Sequence, residues 1–251
     1  MSDLRGKAAL VTGGASGIGL ATVETFARRG AAVAINYLPD DPRGPAEVER
    51  LKALGFSVSG APGNVATPGE AEEMVARAVD VLGRLDYLAN NAGTAMTREP
   101  IPPAEMDRVT EEFWAAILST NLLGPFRCTK AAAAALRASG GGVCNTASVA
   151  GINMAGSSMA YGASKAGLIS LTKNLARALA PQARVNAVAP GFVATGWTDP
   201  WPQDQKQALI DRTLLARACT PQDIATAIVF LCADASMVTA QTLVVDGGFS
   251  L

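Results

Sequence analysis

Short apolar runs alternate with longer stretches of helical periodicity along the whole chain. Ala8–Thr12, Ala31–Tyr37, Phe56–Ala61, Leu85–Asn90, Gly141–Ala147, Arg184–Val188 and Thr242–Asp246 read as strands. Between them, Ile18–Arg29, Ala46–Leu54, Thr67–Gly83, a long pattern from about Ala104 to Ala138, Ser157–Ala180 and Pro221–Ala233 read as helices. Gly30 and Pro181 supply stops, and Thr67 with Glu70 three positions on has the form of a capping box. Strict strand–helix alternation predicts an α/β fold, a doubly wound parallel sheet with helices on both faces. No internal repeat or linker interrupts it, so residues 1–251 are expected to form one domain. The connection Phe192–Asp211 carries two tryptophans and two prolines. A loop that long in a compact domain suggests a mobile substrate lid, at about 192–215.

The first strand runs into glycines at 13, 14, 17 and 19, followed directly by a helix. A glycine turn at a helix N-terminus lets a diphosphate approach backbone N–H groups where the helix dipole favours an anion. The spacing TGxxxGxG differs from GxGxxG, and an ordinary tight turn is the competing reading. The second strand ends at Tyr37 and Leu38, where an acid that would bind an adenosine 2′-hydroxyl is absent. That leans toward NADP(H) over NAD(H). Against it, Ser16 is not basic, Asp40 and Asp41 would repel a 2′-phosphate, and Arg43 is the nearest candidate clamp. Asn64, after the third strand, reads either as an adenine contact or as a turn residue. Asn121, inside a helical pattern, reads as a surface residue, as one bonding its own helix, or as the centre of a local bulge that binds water.

Ser148 closes the fifth strand, Tyr161 lies thirteen positions on, and Lys165 four beyond that. Four positions in a helix place phenol and ammonium on one face. A neighbouring cation is expected to lower the phenol's pKa from about 10, so that it exchanges protons near neutral pH. Ser148 can hold the same substrate oxygen. The trio is acid–base machinery for a ketone/alcohol pair.

Composition narrows the chemistry. The chain has 21 basic and 22 acidic residues, net charge -1, with no run of like charge, so neither nucleic acid nor an anionic membrane is an expected partner. It has no histidine, which excludes histidine triads and histidine metal sites; no metal site is expected. Cys128, Cys144, Cys219 and Cys232 form no CxxC pair and read as reduced, buried thiols. No signal-peptide pattern or membrane-length apolar run appears, and a cytoplasmic location is expected.

TGGASGIG (12–19), NNAG (90–93), Asn121, Ser148, YGASK (161–165) and PGFVAT (190–195) stand in order and in register. In this the chain resembles the short-chain dehydrogenase/reductases along essentially its whole length. The resemblance implies a seven-stranded Rossmann sheet in order 3-2-1-4-5-6-7 and a nicotinamide coenzyme. It implies that Gly13, Ser16, Gly17, Ile18 and Gly19 cradle the pyrophosphate, that Tyr37 and Leu38 border the adenosine ribose, and that Asn64 and Val65 face the adenine. Asn91, Ala92 and Gly93 would line the adenosine-ribose side and the path to the nicotinamide, and Pro190, Gly191, Val193 and Thr195 would hold its amide and the nearby phosphate. Tyr161 would be the general acid/base, Ser148 the oxygen-holding group, and Lys165 a ribose ligand and phenol partner. Asn121 would hold a relay water. Departures are Asn64 where the family usually has Asp, Ala147 where Ser is frequent, and Ala240 where Gly is usual.

The expected activity is NAD(P)-dependent interconversion of a ketone and a secondary alcohol, with a 3-oxoacyl thioester reductase or broad alcohol dehydrogenase as the nearest general matches. Enoyl reductases in related groups space Tyr and Lys further apart, and epimerases and dehydratases are usually longer. A non-catalytic coenzyme-binding regulator or scaffold is the alternative. A homotetramer or homodimer is expected through the alanine-rich helices.

Overall fold

The computed structural model describes residues 2–251. Seven strands form one sheet, in order β3-β2-β1-β4-β5-β6-β7, with every neighbouring pair parallel. They are β1 (Ala8–Val11), β2 (Ala32–Tyr37), β3 (Val58–Pro62), β4 (Tyr87–Asn90), β5 (Gly142–Thr146), β6 (Arg184–Pro190) and β7 (Thr242–Val245). The helices are α1 (Gly17–Arg28), α2 (Arg43–Ala53), α3 (Glu70–Leu82), α4 (Glu111–Leu118), α5 (Gly124–Ser139), α6 (Met159–Leu179), α7 (Gln203–Asp211) and α8 (Pro221–Val229).

The central strands β1, β4 and β5 are buried along their whole length, and the core divides between the two faces of the sheet. One layer joins Val11, Val33 and Ile35 of the sheet to Val23 and Phe26 of α1 and to Ile224 and Ile228 of α8. The other joins Leu10, Leu88 and Val143 to Met74 and Val75 of α3, Leu136 of α5 and Leu175 of α6. The doubly wound order reverses between β1 and β4. There the carboxyl ends of the strands open a crevice suited to a ligand.

The structure corrects several boundaries. The pattern from 104 to 138 is not one helix. It is a 3₁₀ turn at Met106–Arg108, then α4, a π turn at Ser119–Leu123, and α5. Thr110 caps α4 by accepting from the Phe113 N–H at 3.3 Å. Thr67 does not cap α3. The helix starts at Glu70, where the Glu72 carboxylate accepts from the Gly69 N–H at 2.9 Å and Glu70 is drawn away to the Asn64 N–H at 2.8 Å. The 192–211 connection carries its own helix, α7, whose side chains are all at least partly exposed, so it left no core-facing stripe to read. The four cysteines are free and buried. No helix among the described residues is long and apolar enough to cross a membrane.

Candidate active site

The glycine turn is welded to its neighbours before any ligand is considered. Asn36, a polar residue buried within β2, accepts from the Gly13 N–H at 3.2 Å and donates to the carbonyls of Ala61 (3.0 Å) and Gly63 (2.9 Å). The Thr12 hydroxyl accepts from the N–H groups of Asn91 and Ala92, both at 3.0 Å. The Asn91 amide donates back to the carbonyls of Thr12 (3.1 Å) and Gly13 (3.2 Å). Neither Asn36 nor Thr12 was singled out from sequence; a lone amide inside the apolar run AAVAINY was the available signal for Asn36.

Side chains cannot replace hydrogen at the critical positions. A methyl on Gly19 would sit 2.0 Å from the Gly13 carbonyl oxygen, and Gly13 itself has φ +61 with the Ala92 Cα 3.0 Å from its missing Cβ. Ser16 precedes α1 in extended conformation and makes no side-chain cap, and no acid lies in the first turn. Backbone N–H groups at the α1 N-terminus, Gly17, Ile18 and Gly19 among them, therefore face an open cradle with a positive dipole end. This fits the diphosphate of a dinucleotide. Thr195, from the segment after β6, reaches the same cradle: a Cβ on Gly17 would be 3.6 Å from the Thr195 methyl.

The other coenzyme positions surround this cradle unevenly. Leu38 is half exposed. The Tyr37 ring lies across Gly44 and its hydroxyl across Gly60, where added methyls would fall 2.1 and 2.5 Å away. Asn64 follows its turn reading, since its Oδ1 accepts from the Ala66 N–H at 2.9 Å. The Val65 side chain is buried against Gly124, and its carbonyl accepts from the Arg127 guanidinium at 3.3 Å. Val193 packs into the core and pairs with Cys219, while the Gly191 N–H donates to the Val245 carbonyl at 3.1 Å. Pro190 ends β6 beside Val245.

Across the crevice lie the acid–base groups. Ser148 leaves β5 in extended conformation, and its hydroxyl accepts from the Ala150 N–H at 3.1 Å to start a 3₁₀ turn. That turn sits on α6 with no room to spare, since a methyl on Gly151 would fall 2.6 Å from the Ala166 nitrogen. Ser158 caps α6 by accepting from the Tyr161 N–H at 3.1 Å. Tyr161 and Lys165 share one face of α6, with Lys165 Nζ 5.5 Å from the phenol ring centre. Asn121 is fully buried, so it is no surface residue: the π turn carries it inward. There its Oδ1 accepts from the Thr94 N–H at 2.8 Å, and its amide donates to the Thr94 carbonyl at 2.9 Å and to the Ser164 hydroxyl at 3.3 Å. Gly93 looks at both groups. Its missing Cβ would be 3.3 Å from Asn121 Oδ1 and 3.7 Å from Lys165 Nζ.

One electrostatic expectation is overturned. Burial pushes the Tyr161 phenol up to about 12, with the Ser148 side chain pulling the other way. Burial also pushes Lys165 down to about 8. The ammonium gives its short bond, 2.7 Å, to the Thr146 carbonyl rather than to the phenol. Burial is the leading cause at both groups. Tyr161 is therefore a proton donor throughout the physiological range.

Comparison with known proteins agrees with this geometry. A family model described as enoyl-(acyl carrier protein) reductase matches residues 13–250. The chain is 39% identical to a 3-oxoacyl-(acyl-carrier-protein) reductase of Staphylococcus aureus over 245 residues, 96% of this chain and 97% of that one. It is 38% identical to the protein of the same description from Thermotoga maritima over 255 residues, 98% of each. Among solved structures, one described as a short-chain dehydrogenase/reductase from Burkholderia xenovorans superposes with TM-score 0.87 at 34% identity, covering 97% of each chain. A double mutant of a Serratia marcescens short-chain dehydrogenase/reductase gives TM-score 0.89 at 29% identity, covering 99% of this chain and all of that one. The chain belongs to the short-chain dehydrogenase/reductase family and is an NAD(P)-dependent oxidoreductase.

Proposed function

We propose that the protein reduces the ketone of a 3-oxoacyl thioester, or a ketone of similar form, to a secondary alcohol, with Tyr161 as the general acid. The observation that carries this reading is the convergence of Ser148, Tyr161 and Lys165 opposite the glycine cradle. The bound coenzyme supplies the hydride. The carbonyl oxygen would lie between the Ser148 hydroxyl and the Tyr161 phenol, and Tyr161 would pass its proton to that oxygen as charge develops. Ser148 donates a hydrogen bond to the same developing charge, a contribution of the oxyanion-hole kind. Lys165, charged below about 8, stabilises the phenolate left behind. In the reverse direction the same groups take the proton back.

NADP(H) is the coenzyme this reading favours, with NAD(H) as the alternative. The lack of an acid at Tyr37 or Leu38 supports NADP(H). Arg43 is the cation near that site, and Asp41 already holds it through bonds of 2.9 and 2.8 Å. The family model's description as an enoyl reductase raises a second reaction on the same frame. The four-residue Tyr161–Lys165 spacing on one face of α6 supports the ketone instead. We also propose a cytoplasmic, homo-oligomeric enzyme, tetramer or dimer. A 430 Å³ apolar groove between the π turn, α5 and α6, lined by Leu122, Leu123, Phe126 and Leu171, supports a self-association face there; light scattering tests it.

The test of the function is paired turnover with NADPH and NADH, followed at the reduced nicotinamide band. Acetoacetyl thioester and crotonyl thioester serve as substrates with the reduced coenzymes, and a simple secondary alcohol with NADP+ and NAD+. Oxidation of coenzyme with acetoacetyl thioester and none with crotonyl thioester is the expected result. The opposite pattern would replace ketone reduction with enoyl reduction.

A further inference from the structure

The segment after β6 carries two tryptophans that behave differently. Trp201 stacks on Phe192, ring centres 6.0 Å apart and planes 22° from parallel, and so holds the segment to itself. Trp197 meets Tyr161 edge to face, at 6.1 Å and 66°, while remaining 40% exposed. The turn between them is pinned: the Thr198 hydroxyl donates to the carbonyls of Val193 (3.0 Å) and Thr195 (3.1 Å). Thr195 touches the glycine cradle and Trp197, two residues on, touches the phenol. The segment thus spans the crevice from the coenzyme cradle to the acid. Gly156 also lies close against the Tyr161 ring, where a methyl would fall 2.9 Å from Tyr161 Cδ1.

We propose that Trp197 is a specificity-determining residue. Its exposed indole forms the wall beside the reacting carbonyl and selects ketones whose substituent is flat and apolar. The inference rests on the ketone-reductase reading above and names the substrate class that site prefers. An indole fixed at one edge to a phenol presents its remaining surface as a rigid apolar wall, and aryl groups pack well on such surfaces. Single apolar side chains on neighbouring segments are open as well. Met96 follows the Gly93 turn, Ile152 follows the Ser148 turn and Met159 opens α6, each more than 40% exposed.

Two 3-oxo esters that differ in one substituent test the idea: ethyl benzoylacetate and ethyl acetoacetate. Trp197→Ala is expected to lower kcat/KM for the benzoyl ester by about tenfold or more, mainly through KM. For the acetyl ester the change stays within about threefold. Trp197→Phe is expected to restore most of the loss. Ethyl benzoylacetate should also quench tryptophan emission of the wild type saturably, without coenzyme, and fail to do so in Trp197→Phe. Equal losses on both esters would mean that Trp197 only positions Tyr161, and no loss on either would mean that it walls nothing; both overturn the proposal. If the wild type reduces neither ester yet shows the saturable quench, the reductase reading falls and the aryl site stands. If neither turnover nor quench appears, both fall.

Discussion

Lys165 Nζ lies 5.5 Å from the centre of the Tyr161 ring and donates to the Thr146 carbonyl at 2.7 Å. The lysine is thus anchored to the end of β5 as well as to its own helix. Its charge sits beside the phenol without a direct bond to it. Burial brings it down to about 8, so of the pair it is the group that titrates nearer neutral pH.

That sets a pH dependence. Because Tyr161 is held up to about 12, it stays protonated across the neutral range, and the loss of function on the alkaline side comes from Lys165. For ketone reduction, kcat/KM is expected to be level below about pH 8 and to fall as pH rises through it. Lys165→Arg, whose guanidinium stays charged, should remove that fall in whatever activity remains. The same shift affects folding. The unfolded lysine, near 10.5, binds its proton more tightly than the folded one. Stability therefore gains from this group as pH rises from about 8 to 10.5.

Gly19→Ala tests the cradle. The added methyl would overlap the Gly13 carbonyl and sit 2.6 Å from the Asn91 amide nitrogen. Calorimetric titration with NADPH is expected to show affinity lowered at least tenfold, together with a lower Tm. Unchanged coenzyme affinity would place the dinucleotide elsewhere.

Asp41 and Arg43 set a competition at the end of β2. The Arg43 guanidinium holds the Asp41 carboxyl below its usual range, so the acid is charged at neutral pH. Asp41→Asn removes that charge and releases Arg43. The ratio of kcat/KM with NADPH to that with NADH is expected to rise, by about five- to tenfold, corresponding to about 1–1.4 kcal/mol. Arg43→Ala is expected to lower it. A ratio indifferent to both substitutions would show that this pair does not touch the coenzyme's ribose.

Ala240 has φ 62, a left-handed conformation that costs an alanine about 1–2 kcal/mol. The strain explains why glycine is usual at the matching position of the family this chain resembles. Glycine offsets part of the gain through greater freedom in the unfolded chain. Ala240→Gly is expected to stabilise by about 0.5–1 kcal/mol, a Tm increase of about 1–3 °C in a chain of this length. A lower Tm by calorimetry would count against the strain.

Much of this was legible in the chain itself, for local reasons. Glycines fix a turn whose geometry admits nothing larger, and the Tyr161–Lys165 interval fixes a shared helical face. The strand–helix alternation, together with the family resemblance, anticipated the sheet order. What escaped depends on burial and on contacts between distant segments. The direction of the Tyr161 pKa turned on desolvation, which no spacing reveals. Asn36 joins β1, β2 and β3 from a position that reads as one polar interruption in an apolar strand. A local bulge at Asn121 was one of three readings, and only its contacts with Thr94 and Ser164 show that the residue is buried. Helix α7 has no buried face, so hydrophobic periodicity had nothing to record.

The most direct measurement is single-turnover reduction by Tyr161→Phe, run beside calorimetric titration of the same variant with NADPH. Loss of the phenolic proton is expected to slow the chemical step by about 10²–10⁴-fold. Coenzyme affinity should stay within about twofold of the wild type. A variant that binds NADPH normally and reduces the ketone at near wild-type rate would contradict Tyr161 as the acid.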